Sequence, residues 1–118
     1  MAQYSHLPIY NLAFSVLREF YVRTPKFGKQ YKYFLGGELI KYATEIIKTI
    51  IRANNERDKE MRIKLIEHLC ITIELTITHL RIANELRQLG GQKSYLFLSS
   101  MMVDLSKQAE GWKKYTPE

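Results

Sequence analysis

Between Asn54-Asn55 and Gly90-Gly91 the chain runs without a proline or a glycine, and its apolar residues recur at helical spacing. This uninterrupted stretch limits the fold more than any other feature. Ile66, Leu69, Cys70, Ile73, Ile77 and Leu80 form one stripe, and Ile71, Leu75, Ile82, Leu86 and Leu89 form a second. The spacing predicts one long helix from about Asp58, a candidate N-cap, to Leu89, stopped by the glycine pair. Within it, "CITIELTITHL" (70–80) alternates β-branched residues and taken alone also suits a strand. The helical flanks on both sides, and the want of a partner strand elsewhere, decide for helix.

Three further helices are expected. The first runs from about Pro8, welcome in a first turn, to Arg23, with Ile9, Leu12, Ala13, Val16, Leu17 and Phe20 on its stripe. Thr24-Pro25 ends it, because the residue before proline is pushed away from helical angles. The second runs from about Lys29 to Ala53 on Tyr31, Leu35, Leu39, Tyr42, Ile46 and Ile50. Gly36-Gly37 inside it costs helix stability and so suggests close approach of another backbone. The last runs from about Lys93 to Lys114 on Leu98, Met102, Leu105, Ala109 and Trp112, before a loose tail at 115–118. Four amphipathic helices with short links predict an all-α, antiparallel up-down four-helix bundle, a single domain over residues 1–118. A helix in such a monomer needs about one apolar face. The second stripe of the long helix is surplus, which points to a homo-oligomer joined through Ile71, Leu75, Ile82 and Leu86. A helix sunk in a broader intramolecular core also fits.

At 46% hydrophobic and 25% charged, the composition is that of a globular protein. No run approaches the ~18 apolar residues of a membrane span, and "MAQYSHLPIY" lacks the charged start and apolar run of a signal peptide, so a cytoplasmic location without membrane contact is expected. Cys70 is the only cysteine, which excludes an internal disulfide and leaves a small core hydrophobe. His68 and His79 share a face but lie about 16 Å apart along a helix, too far to hold one metal. No Glu-x-x-His pair, nucleophile elbow, P-loop or dinucleotide turn is present. No enzyme, cofactor or metal is expected.

The net charge of +6 is unevenly placed. Residues 18–64 hold twelve Lys/Arg against six Asp/Glu, whereas residues 65–118 hold six of each. Such an excess suits a polyanion footprint or merely a solvated basic surface. Lys41, Lys48 and Arg52 share a helix face with Glu38 and Glu45, which can neutralise them. "TPKFGKQYKYFLGG" (24–37) differs: Arg23, Lys26 and Lys29 have no evident acid nearby, and Lys32 continues the series. Of its aromatics, Tyr31 and Phe34 fall near the core stripe, and Tyr33 faces outward. Arg52, Arg57, Lys59, Arg62 and Lys64 form a second basic group, at the opposite end of an antiparallel bundle, diluted by Glu56, Asp58 and Glu60. Arg23, Lys26, Lys29, Lys32, Lys41, Lys48, Arg52 and Arg57 are therefore the candidate nucleic-acid contacts.

Several segments, taken in order, resemble a known family. Pro25-Lys26 is followed by "YKYFLGGEL" (31–39), "IIRANNERDK" (50–59), "LRQLGG" (86–91) and "SYLFLSS…EGWKK" (94–114). Together they resemble the accessory variability determinant (Avd) proteins of diversity-generating retroelements over nearly the whole chain. Glu110-Gly111-Trp112 departs from the Gly-Gly-Trp frequent in that family. The resemblance implies a homopentameric barrel of basic four-helix bundles, without catalysis of its own. It implies binding to a reverse transcriptase and to template RNA, with DNA a further ligand, during mutagenic cDNA synthesis. A sister family, the proteins encoded in intervening sequences of 23S ribosomal RNA genes, shares the bundle. Its Ser-Ile-Pro-x-Asn-Ile-Ala-Glu-Gly run is replaced here by "IIKTIIRANNE" (46–56), which ranks it second. A protein-interaction bundle without nucleic acid is the remaining alternative.

Overall fold

The computed structural model describes residues 4–116, which fold as helices with no strand among them. After a 3-10 turn at Tyr4–His6 come α1 (Pro8–Arg23), a second 3-10 turn (Thr24–Lys26), α2 (Lys29–Lys32), α3 (Leu35–Asn55), α4 (Lys59–Glu85) and α5 (Gln92–Lys114). The four long helices close a ring in which α1 and α4 each pack against both α3 and α5, while the backbones of the diagonal pairs stay farther apart. Short links make successive long helices antiparallel, giving a four-helix bundle 45 Å long and about 20 Å across. Among the described residues no helix is long and apolar enough to cross a membrane.

The core is the meeting of the four stripes. Val16 and Phe20 of α1, Leu39, Ile46 and Ile50 of α3, Leu69, Ile73 and Leu80 of α4, and Leu98, Met102 and Leu105 of α5 are all essentially inaccessible to water. Ala13, Ala43, Ala83 and Ala109 let the helices approach between these larger side chains. Truncating one of the buried Leu or Ile side chains to alanine would cost about 2–5 kcal/mol. Three of the buried threonines lie within α3 and α4, and each hydroxyl donates to the carbonyl one turn back. These bonds are Thr49 to Glu45, Thr72 to His68 and Thr76 to Thr72, at 2.8, 3.0 and 2.8 Å. Such bonds satisfy the buried hydroxyls within the helix itself. Those of Thr72 and Thr76 let the strand-like alternation of 70–80 pack as part of α4 without leaving a buried donor unpaired.

Several boundaries differ from the sequence expectation. The expected helix from Lys29 is interrupted at Tyr33 and Phe34, both of which keep right-handed helical angles, so α2 and α3 join at a kink. Phe34 sits at this kink and is 81% exposed, not packed near the core, whereas Tyr31 does lean on it. Gly36 is buried because a side chain there would meet Thr24, whose Cβ is only 3.0 Å from where a Cβ would stand; Gly37 faces open space. The long helix ends at Glu85, four residues before the expected Leu89, because Arg87 takes a left-handed φ of 58°. Leu89 then turns back into the core and leaves the outward stripe. Asp58 makes no side-chain cap. The α3–α4 corner is held by Arg62 instead, whose guanidinium donates to the carbonyls of Ala53 and Glu56 at 2.7–3.1 Å. In the tail, Tyr115 is exposed but Thr116 is buried, its hydroxyl donating to the Trp112 carbonyl; the rest of the expected loose tail, residues 117 and 118, lies outside the described residues.

Candidate nucleic-acid interface

The lysine-bearing stretch is a short strap fastened at three points. Pro25 sets the 3-10 turn after α1, and Phe27 drives its ring into the core with 4% of its surface exposed. The Gly28 N–H donates to Gln88 Oε1 at 2.6 Å, and Gln88 Nε2 donates to the Leu86 carbonyl at 2.7 Å. Thr24 lies buried against Gly36. The apolar and backbone anchors point inward, so Lys26, Lys29 and Lys32 are left facing water. None of the three is in an ion pair among the described residues. Tyr33 and Phe34 beside them are about four-fifths exposed and present two aromatic faces on the same strap.

Arg23 is less free than its sequence neighbourhood suggests. Its Nε donates to Glu19 Oε1 at 2.9 Å, one helical turn back, and the guanidinium stands 5.6 Å above the Phe97 ring. The spacing of four residues is the sequence signal for this pair. Lys48 lies 3.9 Å from Glu45, whose other oxygen lies 3.1 Å from His68 Nε2 and accepts from it. That face is partly self-neutralised, as its alternating charges suggested. Lys41, Arg52 and Arg57 are exposed.

The fold does not gather the eight candidates into one patch. Arg23, Lys26, Lys29 and Lys32 cluster at one end of the bundle. Lys41 and Lys48 follow along α3, and Arg52 and Arg57 stand at the other end. Arg62 of the second basic group is committed to the α3–α4 corner. The strap end gains a cation that the sequence did not mark: Arg87, in the α4–α5 link, faces water beside Gln88. Residues 86–89 read as the tail of a helix, and nothing in their spacing announces a left-handed arginine.

The second stripe of α4 does face outward. Ile71 is 61% exposed, and Leu75, Ile82 and Leu86 are each about 40% exposed, so this helix is not sunk in a broader core. Glu67 and Glu85 flank the stripe and pair with Lys113 and Arg81, both at 3.5 Å. Other faces also carry exposed apolar groups, notably Phe14 and Tyr21 on α1 and Leu96 and Val103 on α5. Isolated exposed leucines are ordinary, but four along one helix face form a contiguous strip.

Two further titratable side chains on α4 are engaged within the bundle. His79 Nδ1 lies 2.8 Å from the Leu75 carbonyl, and its ring meets Tyr42 edge-on. Cys70 is half-buried, and burial, reinforced by a hydrogen bond with Glu110, pushes its thiol from 9.0 up to about 11. Among the described residues no three His, Cys, Asp or Glu side chains are grouped to hold a metal ion. Compared with models of known protein families, with curated proteins and with solved structures, the chain matches none.

Proposed function

We propose that this protein is a cytoplasmic, non-catalytic accessory protein that binds RNA, and DNA secondarily, through a basic end of its bundle. In this reading it assembles into a homo-oligomer and serves a reverse transcriptase, as the resemblance to the Avd proteins implies, with a pentameric barrel as the expected assembly. The observation that carries the reading is the strap: Lys26, Lys29 and Lys32 sit within seven residues, exposed and without an ion pair among the described residues, beside Tyr33 and Phe34. Lysines so placed release counterions from a phosphate backbone, and exposed rings offer faces to unpaired bases.

The test is the salt dependence of binding to a single-stranded RNA, for the wild type and for the Lys26→Glu/Lys29→Glu/Lys32→Glu variant. Wild-type affinity should fall steeply with salt. Losing three phosphate contacts should flatten the log–log slope by about 2, and binding at low ionic strength should weaken markedly. The exposed positions should leave the far-ultraviolet circular dichroism and the melting curve unchanged. Equal binding and equal slope in the variant would remove the strap from the reading. A second reading, a bundle that works through apolar faces alone, is favoured by the outward strip on α4. It predicts partner binding that ignores salt and no retention of RNA.

A further inference from the structure

The strap end contains a recess of about 340 Å³ that the broad basic surface does not explain. Arg23 and Lys26 line it from the α1 side, and Arg87, Gln88, Leu89, Gly90 and Ser94 line it from the α4–α5 link. Three cations from two segments distant in sequence thus converge on one cavity, and none of the described lining residues is acidic.

The walls are built rather than incidental. Arg23 spends its Nε on Glu19 and stands 5.6 Å over the Phe97 ring, and among the described residues neither terminal nitrogen has a hydrogen-bond partner. Gln88 uses both ends of its amide, on Gly28 and Leu86, and so holds the two sides of the recess together. Arg87 keeps a left-handed backbone that an arginine rarely adopts, and it is followed by two glycines with φ of 81° and 138°. Among the described residues the hydroxyl of Ser94, in the first turn of α5, has no hydrogen-bond partner, and that helix has no side-chain cap.

We propose that this recess binds the terminal phosphate of a polynucleotide strand, a phosphomonoester. The inference rests on the reading above that a polynucleotide is the ligand. Charge selects the end over the middle of a strand. Three positive lining groups less the one carried by Glu19 leave two, and a phosphomonoester carries about −1.5 to −2 at neutral pH, against −1 for an internal diester. Geometry agrees. A terminal phosphate offers three free oxygens to donors arriving from several sides, which a recess supplies and an open groove does not. The rest of the strand would leave across Lys29, Lys32 and the exposed Tyr33 and Phe34.

The experiment compares one short single-stranded RNA carrying a 5′-phosphate, a 3′-phosphate or hydroxyls at both ends, by fluorescence anisotropy at fixed low ionic strength. The protein is wild type, Arg87→Gly or Arg87→Asn. Glycine and asparagine both accept the left-handed backbone, so melting should hold or rise while the cation is lost. The wild type should prefer a phosphorylated end by about tenfold or more, and both variants should lose that preference while still binding the strand. The two phosphorylated strands show which end is taken. A wild type indifferent to the end group, or a variant that keeps the preference, overturns the proposal and leaves the broad basic surface standing. Binding of the phosphorylated strand alone keeps the recess and removes the broad surface; binding of neither strand removes both. A final arm uses inorganic phosphate against chloride at matched ionic strength. If phosphate raises the wild-type melting temperature as much as the phosphorylated strand does, the free ion is the ligand and the strand-end proposal is overturned.

Discussion

Alanine at Gly36 and alanine at Gly37 should move stability in opposite directions, although the two glycines are neighbours in the first turn of α3. Replacing a helical glycine by alanine lowers the entropy of the unfolded chain and gains about 0.5–1 kcal/mol. At Gly37 nothing lies within 4 Å of the added methyl, so the whole gain should survive and the melting temperature should rise by about 2–4 °C. At Gly36 the methyl would stand 3.0 Å from Thr24 Cβ and 3.6 Å from Phe27 Cδ2. Thr24 is buried and braced by Pro25, so it cannot swing aside as the tip of a long side chain could. Overpacking of this kind costs about 1–3 kcal/mol, which exceeds the helical gain and leaves a net loss near 1 kcal/mol. Urea unfolding at constant m-value measures both variants. Because Thr24 begins the strap, Gly36→Ala should also displace Lys26 and weaken RNA binding, which Gly37→Ala should not. If Gly36→Ala stabilises as much as Gly37→Ala, the strap is not seated against α3, and the reason given for the buried glycine fails.

Leu75→Glu or Ile82→Glu should dissociate the proposed homo-oligomer into chains of 13.9 kDa without unfolding them, as read by sedimentation; a retained native mass would show that the α4 strip is not the subunit contact. Cys70 should react slowly with a thiol-alkylating reagent at pH 8 and accelerate up to about pH 11, because its thiol titrates above the ordinary 9.0. The same displacement links to stability. Between pH 9.0 and about 11 the folded state holds a proton that the unfolded state has lost, so stability should fall as pH rises through that window, and less so in Cys70→Ala. A Cys70 that alkylates at the rate of a free cysteine would contradict both expectations.

Periodicity made the helices legible, because burial on one face writes itself into every third or fourth residue. The flanks decide correctly for helix over the strand-like run 70–80, and there the Thr72 and Thr76 hydroxyls find partners one turn back. Helix ends were less legible, because they depend on contacts distant in sequence. Asp58 has the residue type of a cap, yet Arg62 reaches back to Ala53 and Glu56 and holds that corner. Gly90-Gly91 looks like the stop of α4, yet the chain leaves the helix at Leu86 so that Leu89 can close the core end. At the candidate site, the exposure of Lys26, Lys29 and Lys32 followed from the pattern. The position of Arg87 opposite Arg23 did not, since it depends on a link that pairs residues sixty apart, Gly28 and Gln88.

Charge and apolar surface are separated along different directions of the molecule, and this separation limits how copies can cooperate. The lysines of the strap and Arg87 occupy an end, while Ile71, Leu75 and Ile82 run along a side and only Leu86 reaches the basic end. Side-by-side association through α4 therefore leaves the basic ends open. Whether those ends add depends on symmetry. Rotation about an axis parallel to the bundle brings every strap to one rim, where the potentials sum and a strand can cross several copies. A twofold axis perpendicular to the bundle sends the straps to opposite rims, and each copy then binds alone. Leu75 lies on α4, away from the strap, so Leu75→Glu should lower RNA affinity per chain only in the first arrangement. Loss of affinity together with loss of mass is the expected result. Monomers that bind as tightly as the assembly would mean that the straps never act together.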